Sequence, residues 1–331
     1  MKKIIYFGGY YSTNIGNGFY AEGIKYLLNT ICSNKYEIHY VSDIADYYWQ
    51  RFCSRKMFNH IINVLSVEDI EYIVIGGPML TEYSLSLWEP YFSYIEEHKK
   101  GIKVVLLSAG GGTYSNDEIT FCKKYLNNHR LYALITRDST AYEHYKDYFD
   151  ESYNGICNAF FIPDYFIPLN YNGEKYIVSN FETSYEPRII YENDKYHIHQ
   201  SVKIRFYPLL NRFNRNTRQT LDNKKIIRTK HTIFRQGIYN YGDDDVFFSD
   251  CIYDYLNIYS NAECVFTDRV HACVATLALG GQAQLFNNTA RNALLDRVGA
   301  TSAKNELTYL NMDLIKNEKI LMKEQIEKII K

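Results

Sequence analysis

The stretch Val104-Val105-Leu106-Leu107-Ser108-Ala109-Gly110-Gly111-Gly112 carries the reading of the fold. Four consecutive apolar residues make a strand buried on both faces. Three glycines then end it in a loop that lets other groups approach the backbone closely. Downstream, Ile119 to Leu126 has apolar residues at helical spacing, and Leu131 to Ile135 is the next strand, running into Arg137. Upstream the rhythm is the same. Ile4 to Phe7 is a first strand, Asn14-Ile15-Gly16-Asn17-Gly18 a turn-rich loop, and Phe19 to Leu28 a helix. Ile38 to Val41 is a second strand, Ile73-Val74-Ile75 a third, stopped by Gly76-Gly77-Pro78, and Trp88 to His98 a helix. Strand, glycine loop and helix in alternation predict an α/β fold, a parallel sheet with helices on both faces.

The rhythm breaks at Ile162-Pro163-Asp164 and Ile167-Pro168 and then resumes. Tyr176 to Asn180 and Cys264 to Phe266 read as strands, Asp250 to Ser260 and Arg269 to Leu279 as helices, and Ala283 to Phe286 as a further strand. The 331 residues suit two domains. The expected division is a Rossmann-like domain over 1–170 and a second over 171–311, with a basic insertion at about 185–235. Residues 312–331 form an amphipathic last helix that packs back on the first domain, with Leu314, Ile315, Leu321, Met322, Ile326, Ile329 and Ile330 on its apolar stripe.

Thirty-seven Lys and Arg against 38 Asp and Glu leave a net charge of -1, which argues against nucleic acid as a partner. No apolar run approaches ~18 residues, so no membrane span is expected. Only four apolar residues separate Lys3 from Gly8, so the start reads as a strand and not as a signal peptide. The seven cysteines are odd in number and include no Cys-x-x-Cys pair. That predicts reduced thiols and a cytoplasmic protein, with neither disulfides nor zinc. Lys195 to Arg235 holds 11 Lys or Arg and one acid, Asp222. It is either a solvated face or a contact with a diphosphate or an anionic membrane surface, which admits the inner face of the membrane as a place of work. His197-Ile198-His199 lacks a ligand partner and Asp243-Asp244-Asp245 lacks the EF-hand spacing, so no metal site is expected. No Walker loop, Gly-x-Ser-x-Gly elbow or His-Glu-x-x-His is present.

In open α/β sheets ligands bind beyond the carboxyl ends of the strands. Three such places carry chemistry. Gly8 to Gly18 leads into a helix, whose free amides suit an anion; a loop that only needs tight turns is the competing reading. Thr136-Arg137-Asp138-Ser139-Thr140 offers a helix cap at Asp138 or Ser139 and a planar guanidinium at Arg137, unless Arg137 simply pairs with a neighbouring acid. Thr267-Asp268-Arg269-Val270-His271 puts a cation and an imidazole at a helix start capped by Thr267 or Asp268, a pattern for anion binding and proton transfer. A solvated arginine and a structural histidine are the competing reading. Two residues apart on a regular helix, Arg269 and His271 point about 200° apart, so a shared target requires an irregular turn or a ligand over the helix end.

These segments, in order, resemble the polysaccharide pyruvyl transferase family: Asn14-Ile15-Gly16-Asn17, Ile75-Gly76-Gly77, Ser108-Ala109-Gly110-Gly111, Arg137-Asp138-Ser139, Pro163-Asp164, and Asp268-Arg269-Val270-His271-Ala272 with Leu277-Ala278-Leu279-Gly280. The resemblance spans residues 14 to about 298. Asn17 stands where the family usually has Asp, Pro78 where a third glycine is common, and Gln282 where a proline is usual. The resemblance implies two Rossmann-like domains facing a cleft, as in GT-B glycosyltransferases. It implies transfer of the pyruvyl group of phosphoenolpyruvate onto two hydroxyls of a cell-surface polysaccharide or its precursor, as a ketal. His271, Arg269 and Arg137 are then the catalytic set, and Asn14, Gly16, Asn17, Gly76, Gly77, Gly110, Gly111, Ser139 and Val270 surround the donor. Two arginines suit the phosphate and carboxylate of this donor, and His271 suits proton transfer. This chemistry needs no cofactor or metal. The base for the sugar hydroxyl is unassigned, with Asp268 and Asp164 as choices. The partner is a saccharide, free or lipid-linked; its identity and the oligomeric state stay open. A nucleotide-sugar glycosyltransferase and a non-catalytic carbohydrate-binding protein of the same fold are the other readings.

Overall fold

A computed structural model describes residues 1–8, 14–42, 60–184, 186–193, 195–199, 220–221, 223–232 and 246–331. Its first half alternates strand and helix: β1 (Lys3–Phe7), α1 (Gly16–Cys32), β2 (Glu37–Val41), α2 (His60–Leu65), β3 (Ile70–Gly76), α3 (Glu82–His98), β4 (Lys103–Ala109), α4 (Asn116–Asn128), β5 (Ala133–Thr136), α5 (Ser139–Tyr145) and β6 (Glu151–Asn154). The strands form one sheet, parallel throughout, in the order β2-β1-β3-β4-β5-β6. Both of its faces are covered, which is why the strands read as continuous apolar runs. Ile5, Ile73, Ile75, Leu106 and Leu134 pack with Trp88, Phe92, Cys122 and Leu126 of α3 and α4. Tyr6, Val74, Val105, Leu107 and Ile135 share the opposite core with Phe19, Ile24 and Leu27 of α1.

After α6 (Ile162–Tyr165) come β7 (Tyr176–Asn180), the hairpin β8 (Arg188–Glu192) and β9 (Lys195–His199), β10 (Thr220–Leu221), β11 (Lys224–Thr229), β12 (Val246–Phe247), α7 (Ile252–Asn261), β13 (Ala262–Thr267), α8 (Val270–Ala278), β14 (Gln282–Leu285) and α9 (Met312–Ile329). The second sheet runs β10-β11-β7-β13-β14, with β12 also on β11; every pair is parallel except β10 with β11. Tyr255, Tyr259, Ala272 and Val274 join the same core as α1, so that helix lies between the two sheets. Ile315, Met322, Ile326 and Ile329 of α9 are buried, and the helix end meets the first sheet, with the Tyr72 hydroxyl donating to the Ile329 carbonyl at 3.4 Å. Two parallel α/β sheets with interleaved helices are the GT-B-like arrangement.

Several boundaries differ from the sequence reading. α1 begins at Gly16, inside the stretch read as a loop, because the Asn14 side chain accepts the Gly16 amide at 3.1 Å and the turn is packed against the second sheet. α3 begins at Glu82, six residues before Trp88, since Thr81 caps it by accepting from the Ser84 amide at 3.1 Å; Pro90 lies inside the helix. β6 has the half-polar sequence Glu-Ser-Tyr-Asn and carries no apolar signal. The basic stretch is not one face. Arg228 is fully buried and held by both oxygens of Glu186, at 2.8 and 3.0 Å, while Lys224 pairs with Glu263 at 2.9 Å. Lys203, Arg205, Arg212, Arg215, Arg218 and Arg235, and also Asp243-Asp244-Asp245, lie outside the described residues.

Candidate functional site

In each sheet the strand order reverses once, between β1 and β3 and between β7 and β13, which opens a crevice at the strand ends. Loops from both sheets meet there around a cavity of about 100 Å³. Asn14, Asn17, Pro78 and Arg137 come from the first sheet; His231, Asp268, Arg269, Val270, His271, Asn287, Arg291 and Leu294 come from the second.

Arg137 leaves the end of β5 and is 3% exposed. Gly110 makes room for it: a Cβ at that position would lie 2.4 Å from Arg137 Nε. Asp138 does not neutralise it closely, the nearest carboxylate oxygen being 4.0 Å from Nε, and Nε has no hydrogen-bond partner among the described residues. Asp138 instead caps α5, accepting from the Ala141 amide at 2.8 Å and from the Tyr114 hydroxyl at 2.9 Å. A buried guanidinium N–H left unpaired is costly unless a ligand supplies the acceptor.

Arg269 is the residue before α8, with extended backbone angles (φ -104°, ψ 116°). The 200° divergence expected within a helix therefore does not apply, and Arg269 and His271 line the same cavity. The expected side-chain cap of α8 is absent. Asp268 turns away to hold a neighbouring loop, accepting from the amides of Glu182 (3.1 Å), Thr183 (2.6 Å) and Ser184 (2.6 Å) and from the Thr183 hydroxyl (2.8 Å). Thr267 accepts from the Arg269 amide, outside the helix. Glu182 approaches Arg269 Nε only to 3.7 Å.

His271 sits against the ring of Tyr20, centroids 5.3 Å apart, and its Nε2 is buried without a hydrogen-bond partner among the described residues. Burial, followed by the fields of Arg137, His231, Arg269 and Arg291, holds its pKa well below the usual histidine value, so the ring is neutral. His231, just after β11, is also buried and neutral, first by desolvation and then by Arg269. Gly16 lies between the two imidazoles: a Cβ there would be 3.1 Å from both His231 Nδ1 and His271 Cβ. Arg291 is exposed as a residue, yet protein surrounds its guanidinium. That desolvation, reinforced by Arg137 and Arg269, lowers its pKa.

Of the residues picked from the sequence, Asn14, Asn17, Arg137, Arg269, Val270 and His271 line the cavity, and Gly16 backs it. Gly76, Gly77, Gly110, Gly111 and Ser139 do not line it. Gly76 packs on Ile24 and Tyr6, and Gly77 on Tyr20 with φ +94°. Gly110 accommodates Arg137, the Gly111 amide donates to the Tyr114 hydroxyl at 2.8 Å, and Ser139 accepts from Asn154 at 3.0 Å near the surface. Asp164 ion-pairs with Lys319 and Lys323 of α9, and Asp268 is consumed by its loop, so neither carboxylate is placed as a free base in the cavity. His231, Asn287 and Arg291 were not legible: His231 lies within the stretch that reads as bulk positive charge, and Arg291 lies in a short 3-10 helix, Ala290–Leu295, without a motif.

Three guanidiniums and two neutral imidazoles thus surround a volume of about three waters, a water occupying ≈ 30 Å³ of liquid. That concentration of positive charge suits a small polyanion. Among the described residues, no group of three His, Cys, Asp or Glu is placed to hold a metal, and no helix is long and apolar enough to cross a membrane. The six described cysteines are unpaired.

A search of the curated proteins by sequence gives no match. Among solved structures, the chain is similar to S. aureus MnaA in complex with UDP (TM-score 0.53, 12% identity, 99% of this chain and 91% of that one). It is also similar to the UDP-GlcNAc 2-epimerase of Methanocaldococcus jannaschii in complex with UDP-GlcNAc and UDP (TM-score 0.51, 12% identity, 97% and 99%). At that identity the likeness is one of fold. The sequence profile of polysaccharide pyruvyl transferases matches residues 14–288, most of the chain and every loop of the cavity up to Asn287. The chain belongs to the polysaccharide pyruvyl transferase family.

Proposed function

We propose that this chain transfers the pyruvyl group of phosphoenolpyruvate onto two hydroxyls of a saccharide as a ketal, with the cavity between the two sheets as the donor site. The observation that supports this reading is the convergence of Arg137, Arg269 and Arg291 on about 100 Å³ beside His271. Phosphoenolpyruvate presents a phosphate and a carboxylate around one carbon, and guanidiniums match both in bidentate fashion. The family match favours this reading over a nucleotide-sugar glycosyltransferase. The reading includes the two-domain division near residue 170, a polysaccharide or lipid-linked acceptor, and work at the cytoplasmic face of the membrane.

Burial, with the fields of Arg137, Arg269 and Arg291 added to it, keeps His271 neutral. A bound polyanion offsets their field and raises the His271 pKa, so the ring takes up a proton as the donor arrives. His271 then delivers that proton to the donor methylene, and the adjacent carbon becomes electrophilic. Arg137 and Arg269 hold the phosphate and carboxylate, and the departing phosphate is stabilised by the same cations. Thermal unfolding with phosphoenolpyruvate, UDP-GlcNAc or neutral oligosaccharides tests the reading. Stabilisation by phosphoenolpyruvate and not by UDP-GlcNAc is expected; the reverse would place the chain with the nucleotide-sugar enzymes.

A further inference from the structure

His231 is held more firmly than a core histidine requires. Its amide donates to Glu182 at 2.6 Å and its carbonyl accepts from the Ile15 amide at 2.9 Å, which ties the segment after β11 to the loop before α1. Phe19 and Tyr255 meet its ring edge-on, at centroid distances of 5.7 and 5.3 Å. Its Nε2 is hydrogen-bonded to the Tyr259 hydroxyl, which also lies 3.2 Å from the Thr229 hydroxyl. The other ring nitrogen, Nδ1, is buried, has no hydrogen-bond partner among the described residues, and belongs to a side chain that lines the cavity. Arg269 lies close enough to lower the pKa of this imidazole. With Arg269 near the ring, a lone pair on Nδ1 is favoured over an N–H there, so the proton belongs on Nε2, donated to Tyr259, and Nδ1, packed against Gly16 at the edge of the cavity, is left as an acceptor. Asp268, the one carboxylate among the described residues that line the cavity, is saturated by its loop and is not free for that role.

We propose that His231 is the general base of the transfer, taking the proton of the attacking saccharide hydroxyl at Nδ1, with Tyr259 as the positioning residue that fixes its tautomer. This rests on the pyruvyl-transfer reading. The protons balance. His271 protonates the donor methylene, the hydroxyl oxygen bonds to the adjacent carbon, and its proton passes to His231. The carbon–oxygen bond to phosphate breaks, a second hydroxyl bonds to the same carbon, and its proton leaves with the phosphate. His231 then returns its proton to His271, which restores both rings.

Two measurements decide this, and they fail separately from the parent reading. Nitrogen-15 histidine spectra of the ligand-free wild-type protein report the tautomer directly; a protonated Nε2 with a bare Nδ1 on His231 is expected, and an Nδ1–H tautomer overturns the proposal. Single-turnover phosphate release from phosphoenolpyruvate, with neutral oligosaccharides or water as the nucleophile, is then compared in wild type, His231→Asn and Tyr259→Phe. His231→Asn should keep the phosphoenolpyruvate Kd within about 2-fold and lower turnover by roughly 10²–10⁴, with loss of the acid limb of the pH–rate profile. Tyr259→Phe should retain that limb and shift it. Turnover in His231→Asn close to wild type, or an unchanged limb, overturns the base role. Failure of phosphoenolpyruvate to bind the wild type would instead overturn the parent reading, whatever the tautomer.

Discussion

Two strand ends in this molecule start from the same design and finish differently. β4 ends in Gly110-Gly111-Gly112 before α4, and β13 ends in Thr267-Asp268-Arg269 before α8. Both expose backbone amides at the carboxyl edge of a parallel sheet, where an anion is favoured. At β4 the chain supplies its own anion. One oxygen of Glu118 accepts from the amides of Gly112, Thr113 and Tyr114 at 3.0, 2.9 and 2.9 Å, and the Tyr114 hydroxyl takes the Gly111 amide. At β13 the local carboxylate, Asp268, binds another loop, and α8 starts without a side-chain cap beside three arginines. A glycine-rich loop is therefore no evidence of a ligand site until its amides have been accounted for.

The comparison breaks most visibly at His271. His271→Gln should keep the fold and the phosphoenolpyruvate affinity while turnover falls by roughly 10²–10⁴, as for loss of a general acid. Melting temperature, donor Kd and single-turnover rate on one preparation check this; a stable variant at near wild-type rate would leave the open strand end as an anion site without proton transfer. Next in size is Arg137→Ala. A hydrogen bond to a charged group contributes roughly 1.5–3 kcal/mol, so donor Kd should rise about 10- to 100-fold by titration calorimetry. An unchanged Kd would detach Arg137 from the donor.

The fold was legible where both faces of a strand are buried. Ile4–Phe7, Ile73–Ile75 and Val104–Leu107 are apolar without alternation because helices cover both sides. β6 and the β8–β9 hairpin are polar on at least one side and gave no such run. The extent of the basic stretch misled for a related reason: formal charge counts Arg228 as surface, although Glu186 holds it inside the core. In the site, Arg137, Arg269 and His271 could be singled out because each closely follows an apolar strand. His231 reaches the cavity through the pairing of β11 with β7, and Arg291 through a turn after β14; neither placement is encoded near the residue itself.

Closing one strand end and opening the other gives the sharper tests. Glu118→Ala frees three amides from their acceptor, and the loss should be about 1–3 kcal/mol of stability, with donor Kd changed far less than by Arg137→Ala. Added phosphate should then raise the melting temperature of Glu118→Ala more than that of wild type, because the vacated amides accept an external anion. Equal phosphate effects in the two proteins would mean that the loop collapses when Glu118 is removed.

The smallest effect is on stability against pH. His231 and His271 are buried and neutral, with folded-state pKa values depressed below the ordinary 6.5. The unfolded chain therefore binds protons first as pH falls through about 6.5, and unfolding gains what burial of the neutral rings had withheld. Their contribution is complete above that pH and is lost progressively below it. Among the described residues the strand end at Glu118 contains no such buried pair, so removing Glu118 leaves this contribution in place. Wild type should lose melting temperature between about pH 7 and about pH 5 more steeply than the double variant His231→Asn/His271→Gln, while Glu118→Ala keeps the wild-type slope from a lower starting value. Equal slopes in wild type and the double variant would assign the acid sensitivity to carboxylates elsewhere and remove the two imidazoles from the stability balance.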